Sequence, residues 1–223
     1  MTDHLADTTW PELDQAGLVL VPVGSIEQHG PHLPLDTDTA IATAVTHTAA
    51  GILGAWSAPA IAYGASGEHQ GFPGTSSIGT DTLRLLLIEL VRSMRVWARR
   101  VLLVNAHGGN LPAIDAAVGQ LVAEGHDIAW IPCATTGPDL HAGRTETSLM
   151  LHIRPESVHL DRAEKGNTQP LDNILPDLIA GGVDAVSTNG VLGDPAGATA
   201  EEGGQLLARM VDAVVSTATS VTS

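Results

Sequence analysis

Cysteine is almost absent from this sequence: Cys133 is the only one in 223 residues. A single cysteine cannot form an intrachain disulfide, and it cannot supply the several thiolates typical of structural zinc sites. Cationic residues are also scarce, with 10 Lys and Arg against 25 Asp and Glu, which gives a net charge of −15. Such a surface repels phosphate backbones, so the composition argues against nucleic acid as a partner.

The sequence also lacks an apolar run near the ~20 residues that a membrane-spanning helix needs. Its first residues, MTDHLADTTWPELD, are polar and acidic, unlike a secretory signal peptide. We therefore expect a cytoplasmic protein that does not act at a membrane. A length of 223 residues suits a single domain over 1–223 with a large buried core.

The sequence does contain alternating strand and helix patterns. Short apolar runs typical of buried strands are followed by longer stretches with helical periodicity. Strands are predicted at 18–23, 57–64, 100–106 and 127–132, and helices at 38–53, 80–98, 111–125, 145–153 and 199–215. Pro59 predicts that the second of these strands lies at an edge. The alternation predicts an α/β fold with a mainly parallel sheet and helices on both faces.

Side chains that bind metals crowd the segment EQHGPHLPLDTD, which directly follows the first predicted strand. Glu27 and His29 are two residues apart, so in extended backbone they point to the same side, and Asp36 and Asp38 share that relation. A solvated turn does not need imidazoles. Ligands of parallel sheets bind beyond the carboxyl ends of the strands, which is where this segment lies.

Two further segments carry the same kinds of side chain. NAHGGN places His107 at the end of another strand, beside glycines that allow the backbone to approach a ligand closely. HAGRTETS places His141 and Glu146 five residues apart at the start of a helix. Imidazoles and carboxylates without thiolates suit Zn²⁺, Mn²⁺ or Fe²⁺. Two such ions about 4 Å apart would activate a water molecule and polarise a carbonyl group.

These segments, together with FPGTSSIG and GVLGDPAGAT, resemble the creatininase family of metal-dependent amidohydrolases. The resemblance runs from about Leu18 to the last predicted helix. It implies a single-domain, three-layer αβα fold and a centre of two divalent metal ions. It also implies a homo-oligomer, a hexamer or larger.

The family's metal ligands match positions of this sequence one by one: Glu27, His29, Asp38 and His107. The resemblance implies that Asp38 bridges the two ions and that Asp36 is only its neighbour. His32 belongs to the motif and is expected to support the loop. His141 resembles the family's proton shuttle, and Glu146 resembles its second acidic residue, acting either as a metal ligand or as a base.

The sequence departs from creatininase itself at two positions. Creatininase has a glutamate two residues after the third-motif histidine, where this chain has Gly109, and Glu146 is the natural replacement for the missing carboxylate. Creatininase also has a tryptophan four residues before the shuttle histidine, where this chain has Gly137. The second change predicts a mouth wider than a creatinine pocket.

Among the branches of the family, the long loop GASGEHQGFPGTSSIG with HAGRTETSLML looks most like the one that processes the mycofactocin precursor peptide. That resemblance implies release of a C-terminal Val-Tyr dipeptide from the processed precursor. His69 in this loop is either a substrate contact or an ordinary loop residue, and Arg144 is a candidate for holding the peptide's terminus. The alternatives are a hydrolase of creatinine or of small cyclic amides or formamides, and a non-enzymatic metal-binding assembly protein.

Overall fold

The structure, a computed structural model, describes residues 3–13, 16–134 and 139–220. Its centre is a parallel sheet of β1 (Asp3–His4), β2 (Leu18–Val23), β3 (Trp56–Ser57), β4 (Arg100–Asn105) and β5 (Ile128–Pro132), in the order β1-β3-β2-β4-β5. The longest pairing joins β2 to β4, in register from Leu18 opposite Arg100 to Val23 opposite Asn105. Because these strands are parallel, their carboxyl ends lie at the same edge of the sheet.

Helices cover both faces of this sheet. They are α1 (Thr37–Leu53), α2 (Thr80–Met94), α3 (Leu111–Ala123), α4 (Arg144–Ile153), α5 (Leu171–Gly181), α6 (Val183–Val186) and α7 (Ala200–Ser220). Short 3₁₀ turns connect them, among them Gly67–His69 and Gly108–Asn110. The predicted α/β fold, a three-layer αβα arrangement with a parallel sheet, is confirmed.

The two cores follow from the alternation of side chains along the strands. Val19, Val21 and Leu103 belong to one core, which contains buried side chains of α2 and α3. Leu20 and Leu102 belong to the other, which contains buried side chains of α1, α4 and α7. Each central strand is therefore buried on both faces, which explains why its sequence is almost entirely apolar.

The prediction of an edge strand at 57–64 was wrong. The strand is only Trp56–Ser57, and it lies between β2 and β1 because the N-terminal residues Asp3 and His4 pair with it. Beyond Ser57 the chain keeps an isolated parallel bridge between Ile61 and Val23. Within the described residues, none of the helices combines the length and the apolar character needed to span a membrane.

Candidate metal centre and active site

The segment after β2, the start of α1 and the turn after β4 bring the predicted ligands together at the carboxyl edge of the sheet. Asp38, in the first turn of α1, lies between two imidazoles. Its Oδ1 lies 3.3 Å from His29 Nε2 and its Oδ2 lies 3.3 Å from His107 Nδ1. Ser25 Oγ donates a hydrogen bond of 2.8 Å to the second oxygen. One carboxylate therefore connects both histidines.

Glu27 presents a second carboxylate to the same cluster, and its side chain is completely buried. Oε2 lies 3.1 Å from His107 Nε2, and Oε1 lies 3.3 Å from His69 Nε2 and 3.8 Å from His141 Nδ1. None of these contacts has hydrogen-bond geometry, so neither oxygen accepts a hydrogen bond from the residues that the structure describes. A buried carboxylate in this state calls for a cation.

Glu146 completes the cluster from the first turn of α4. Its Oε2 accepts a hydrogen bond of 2.6 Å from the Ala142 backbone N–H and lies 3.9 Å from His29 Nε2. Burial raises the pKa of Glu146 to about 7, an effect that His29 opposes and the Asp38 carboxylate reinforces. Glu146 is thus placed on the His29 side of Asp38, as a ligand or a base would be.

The electrostatics of the cluster demand positive charge. Burial alone would lower the pKa of His29, but Asp38, with smaller contributions from Glu146 and Glu27, raises it to about 10. His107 responds in the same way: its burial alone would lower its pKa, but the adjacent carboxylates of Asp38 and Glu27 raise that pKa well above the ordinary value. Without a metal these imidazoles therefore hold protons, and a divalent cation bound here would displace them.

The donor atoms fit divalent metals. Three groups of ligand atoms each lie within 4.8 Å of one another: Glu27, Asp38 and His107; His29, Asp38 and Glu146; and Glu27, His29 and His141. The first two groups share Asp38. These nitrogen and oxygen donors match the preferences of Zn²⁺, Mn²⁺ and Fe²⁺.

His141 and His69 lie beside this cluster, with ring centroids 4.4 Å apart. His141 Nε2 lies 2.7 Å from the backbone oxygen of Gln28. Burial lowers the pKa of both imidazoles, and the charge of His29 lowers that of His141 further, whereas Glu27 opposes the effect at His69, whose pKa falls to about 4. His69 is therefore a buried, neutral member of the site rather than an ordinary loop residue.

Two residues of the first motif lie outside the cluster, as expected. Asp36 pairs with Arg154 at the end of α4. His32 Nε2 is hydrogen-bonded to Thr147 Oγ1 at 2.9 Å, and its backbone oxygen accepts from His159 N, so His32 ties the loop to α4 and the turn that follows. Gly137 belongs to 135–138 and lies outside the described residues.

Three residues near the ligands were not predicted from the sequence: Ser25, Gln28 and Glu68. Glu68 Oε1 lies 3.6 Å from His107 Nε2, and a Cβ atom added at Gly109 would collide with it. The Glu68 carboxylate thus occupies the space that a side chain at position 109 would need. The position of Glu68 directly before His69, in the segment GEH, is the signal in the sequence that could have indicated a role for Glu68.

A cleft of about 1060 Å³ opens beside the cluster. Glu27, His107 and His141 lie at its base, and α5 supplies an apolar wall that includes Leu175 and Ile179. A smaller cavity of about 280 Å³ adjoins it, lined by Glu146 among others. None of the described residues that line these two spaces is a lysine or an arginine.

A comparison with known proteins identifies the family of this chain. The model of the creatininase family, described as creatinine amidohydrolase, matches residues 6–218. The chain belongs to the creatininase family. Hydrolases of this family act on C–N bonds.

Relatives within the creatininase family include a mycofactocin precursor peptide peptidase of Mycobacterium ulcerans. It is 55% identical over 96% of this chain and 87% of its own length. A creatinine amidohydrolase of Pseudomonas putida is 34% identical over 71% of this chain and 74% of its own length.

Solved creatininase structures share the fold. One described as creatinine amidohydrolase (creatininase) has a TM-score of 0.80 at 27% identity and covers 97% of this chain and 96% of its own. A mutant creatininase described as of Zn-Zn type also has a TM-score of 0.80, at 26% identity and 97% coverage of both chains.

Proposed function

We propose that this chain is a metal-dependent peptidase that cleaves the mycofactocin precursor peptide near its C-terminus and releases a Val-Tyr dipeptide. The observation that carries the proposal is the large cleft with an apolar wall, which opens onto the buried carboxylate and imidazole cluster. The relative from Mycobacterium ulcerans, named for this substrate, supports it through 55% identity over nearly the whole chain.

The proposed cofactor is a pair of divalent ions, Zn²⁺, Fe²⁺ or Mn²⁺, held by Glu27, His29, Asp38, His107 and Glu146. Asp38 is the shared ligand, because its two oxygens face different histidines. When bound, such ions supply Lewis acidity for the scissile carbonyl and lower the pKa of a water molecule. Ser25 orients the shared carboxylate through its 2.8 Å hydrogen bond, as residues behind metal ligands commonly do.

His141 is the proposed proton carrier. Its Nε2–H donates to the Gln28 backbone oxygen, which leaves the lone pair of Nδ1 facing the cluster. From there Nδ1 takes a proton from the attacking water and gives it to the leaving amine. Glu146, whose carboxylate is anchored by the Ala142 N–H on the His29 side of Asp38, is either a metal ligand or a second base, whereas the space of the carboxylate expected at position 109 is taken by Glu68.

The lining of the cleft favours a neutral, apolar peptide tail. Leu175 and Ile179 offer a surface that a small, flat creatinine would not need. Arg144 is unsuited to hold a terminal carboxylate, because it does not line the cleft. Its Nε instead donates a hydrogen bond of 2.8 Å to Glu202 Oε2. A tail without a terminal carboxylate, as in a decarboxylated precursor, suits a cleft that contains Glu27 and Glu68.

Incubation with the processed precursor, and separately with creatinine and a cyclic formamide, tests the proposal. Mass spectrometry should detect loss of a Val-Tyr dipeptide from the peptide, and the Asp38→Asn protein should leave the peptide intact. Rapid turnover of creatinine with an intact peptide would establish the small-amide alternative instead. Absence of turnover in all three, with metal bound, would favour an assembly role. Light scattering should give a homo-oligomer of six or more subunits.

A further inference from the structure

The side-chain amide of Gln28 has an orientation that its neighbours fix. The backbone N–H of Gly30 donates to Gln28 Oε1 at 2.9 Å, so the oxygen must face that way. Gln28 Nε2 then lies 3.0 Å from the backbone oxygen of Gly190, 2.8 Å from His69 Nδ1 and 3.1 Å from His141 Nε2. An amide nitrogen carries two hydrogens, so at most two of these three contacts receive one each.

His141 Nε2 is the neighbour that receives no amide hydrogen from Gln28. His141 Nε2 lies 2.7 Å from the Gln28 backbone oxygen, which can only accept, so this nitrogen carries a hydrogen. A ring nitrogen that carries a hydrogen cannot accept another. The two amide hydrogens therefore go to Gly190 O and to His69 Nδ1.

This assignment sets the tautomer of each neutral imidazole. His69 accepts at Nδ1, so it carries its hydrogen on Nε2, which lies 3.3 Å from Glu27 Oε1. His141 donates from Nε2, so its Nδ1 lone pair faces the same oxygen, 3.8 Å away. The two rings consequently present opposite groups, a donor and an acceptor, to one carboxylate.

We infer that Gln28 is a positioning residue of the active site, fixing the His69 tautomer through its side chain and the His141 tautomer through its backbone oxygen. The His69 N–H then faces the buried Glu27 carboxylate, with 3.3 Å between Nε2 and Oε1. The bare Nδ1 of His141 remains able to take a proton. The tautomers follow from hydrogen bonds alone, whereas the benefit to catalysis rests on the proposed function.

Gln28→Glu tests the inference, because a carboxylate of the same shape accepts where the amide donates. We expect ¹⁵N spectra of the histidine-labelled, zinc-loaded protein to show the hydrogen of His69 moving from Nε2 to Nδ1. His141 should keep its hydrogen on Nε2, since the backbone oxygen of residue 28 is retained.

Gln205→Glu, the same change at an exposed position on α7, is the matched control and should leave the histidine spectrum unchanged. If Gln28→Glu does not fold, Gln28→Met removes the donor without adding charge and should leave His69 as a mixture of tautomers. The inference is overturned if His69 carries its hydrogen on Nδ1 in the unmodified protein, or if neither variant changes the His69 tautomer. These spectra need no substrate, so they stand even if the peptide is not cleaved.

Discussion

Asp36 is joined to Arg154, 118 residues further along the chain, by an ion pair in which both guanidinium NH₂ groups meet the carboxylate. The pair ties the start of α1 to the end of α4, outside the metal cluster. Asp38, two residues later, instead faces His29 and His107. Two aspartates that the motif places side by side therefore have separate tasks.

Exchange of each aspartate for asparagine should distinguish the structural role of Asp36 from the proposed metal-binding role of Asp38. Asp38→Asn should lose at least one metal ion and nearly all turnover, because an amide cannot serve as a charged shared ligand. Asp36→Asn should retain both ions and much of the rate, with a modest loss of stability from the weakened contact to Arg154. Metal analysis and turnover of the two proteins check this, and the reverse pattern would show that the ligand lies at position 36.

Glu146→Gln should distinguish a ligand from a base. The Ala142 N–H can still donate to the amide oxygen of the variant, so the local fold should survive. If Glu146 binds metal, the stoichiometry should fall from two ions towards one. If it acts only as a base, metal content should hold while kcat falls. A protein with normal metal content and normal rate would remove Glu146 from the site.

His141→Gln should reduce kcat about 10²- to 10⁴-fold, the usual contribution of a proton-transferring group. Metal content should remain near that of the unmodified protein, because the proposed ligands are untouched. The exposed His159, exchanged for glutamine, is the control and should keep full activity. A His141→Gln protein that has both ions and an unchanged kcat would exclude His141 as the proton carrier.

His32 should make folding sensitive to acid. Burial, and then the charge of His29, lowers its pKa to about 4, below the value of about 6.5 in an unfolded chain. The unfolded state therefore binds a proton between these values that the folded state does not, so stability present above pH 6.5 is lost as the pH falls through 4. The loss amounts to at most roughly 3.5 kcal/mol, at about 1.4 kcal/mol per pKa unit.

Melting temperatures measured between pH 7.5 and 4.5 check the role of His32. His32→Gln keeps a donor for Thr147 Oγ1 but does not titrate, so its melting temperature should fall less steeply with acid. His159→Gln, at an exposed position, should follow the unmodified protein. Identical slopes for all three proteins would contradict the assignment.

The apolar wall of the cleft should act on KM. Ile179 on α5 is 77% exposed and lines the cleft, so Ile179→Asp should raise KM for the peptide roughly tenfold by removing one apolar contact. Ile52→Asp makes the same change at a 61% exposed isoleucine on α1 that does not line the cleft, and it should leave KM unchanged. Equal KM values for the two variants would place the peptide elsewhere.

The clustering of the candidate ligands could be predicted because each of them lies close to a recognisable element. Glu27 and His29 follow an apolar strand, Asp38 lies in the first turn of a helix, and His107 follows the next long strand. The regular geometry of parallel strands brings such positions together without knowledge of any loop. The alternation of strand and helix patterns likewise predicted the parallel sheet and the helices on both of its faces.

The parts that could not be predicted depend on contacts between distant segments. Glu68 reaches His107 because the loop after β3 folds back over the turn after β4, and nothing in its local sequence specifies that path. Pro59 led to the prediction of an edge strand, and the strand that covers this edge could not be foreseen because it is only two residues long, Asp3 and His4. The sequence of 154–198 gave only a weak indication of secondary structure, so the wall of the cleft that α5 supplies, with Pro176 inside the helix, was not foreseen.

The shared space of Glu68 and Gly109 restricts how this site can evolve. A side chain gained at position 109 would collide with the Glu68 carboxylate, the Ala65 backbone oxygen and the His107 imidazole, whereas a shortened residue 68 would leave a gap beside His107. Each single change is therefore disfavoured, and the two positions should show strong non-additivity in a double-mutant cycle. An exchange of one carboxylate source for the other therefore requires coordinated changes around His107, so Glu68 and Gly109 form one structural unit.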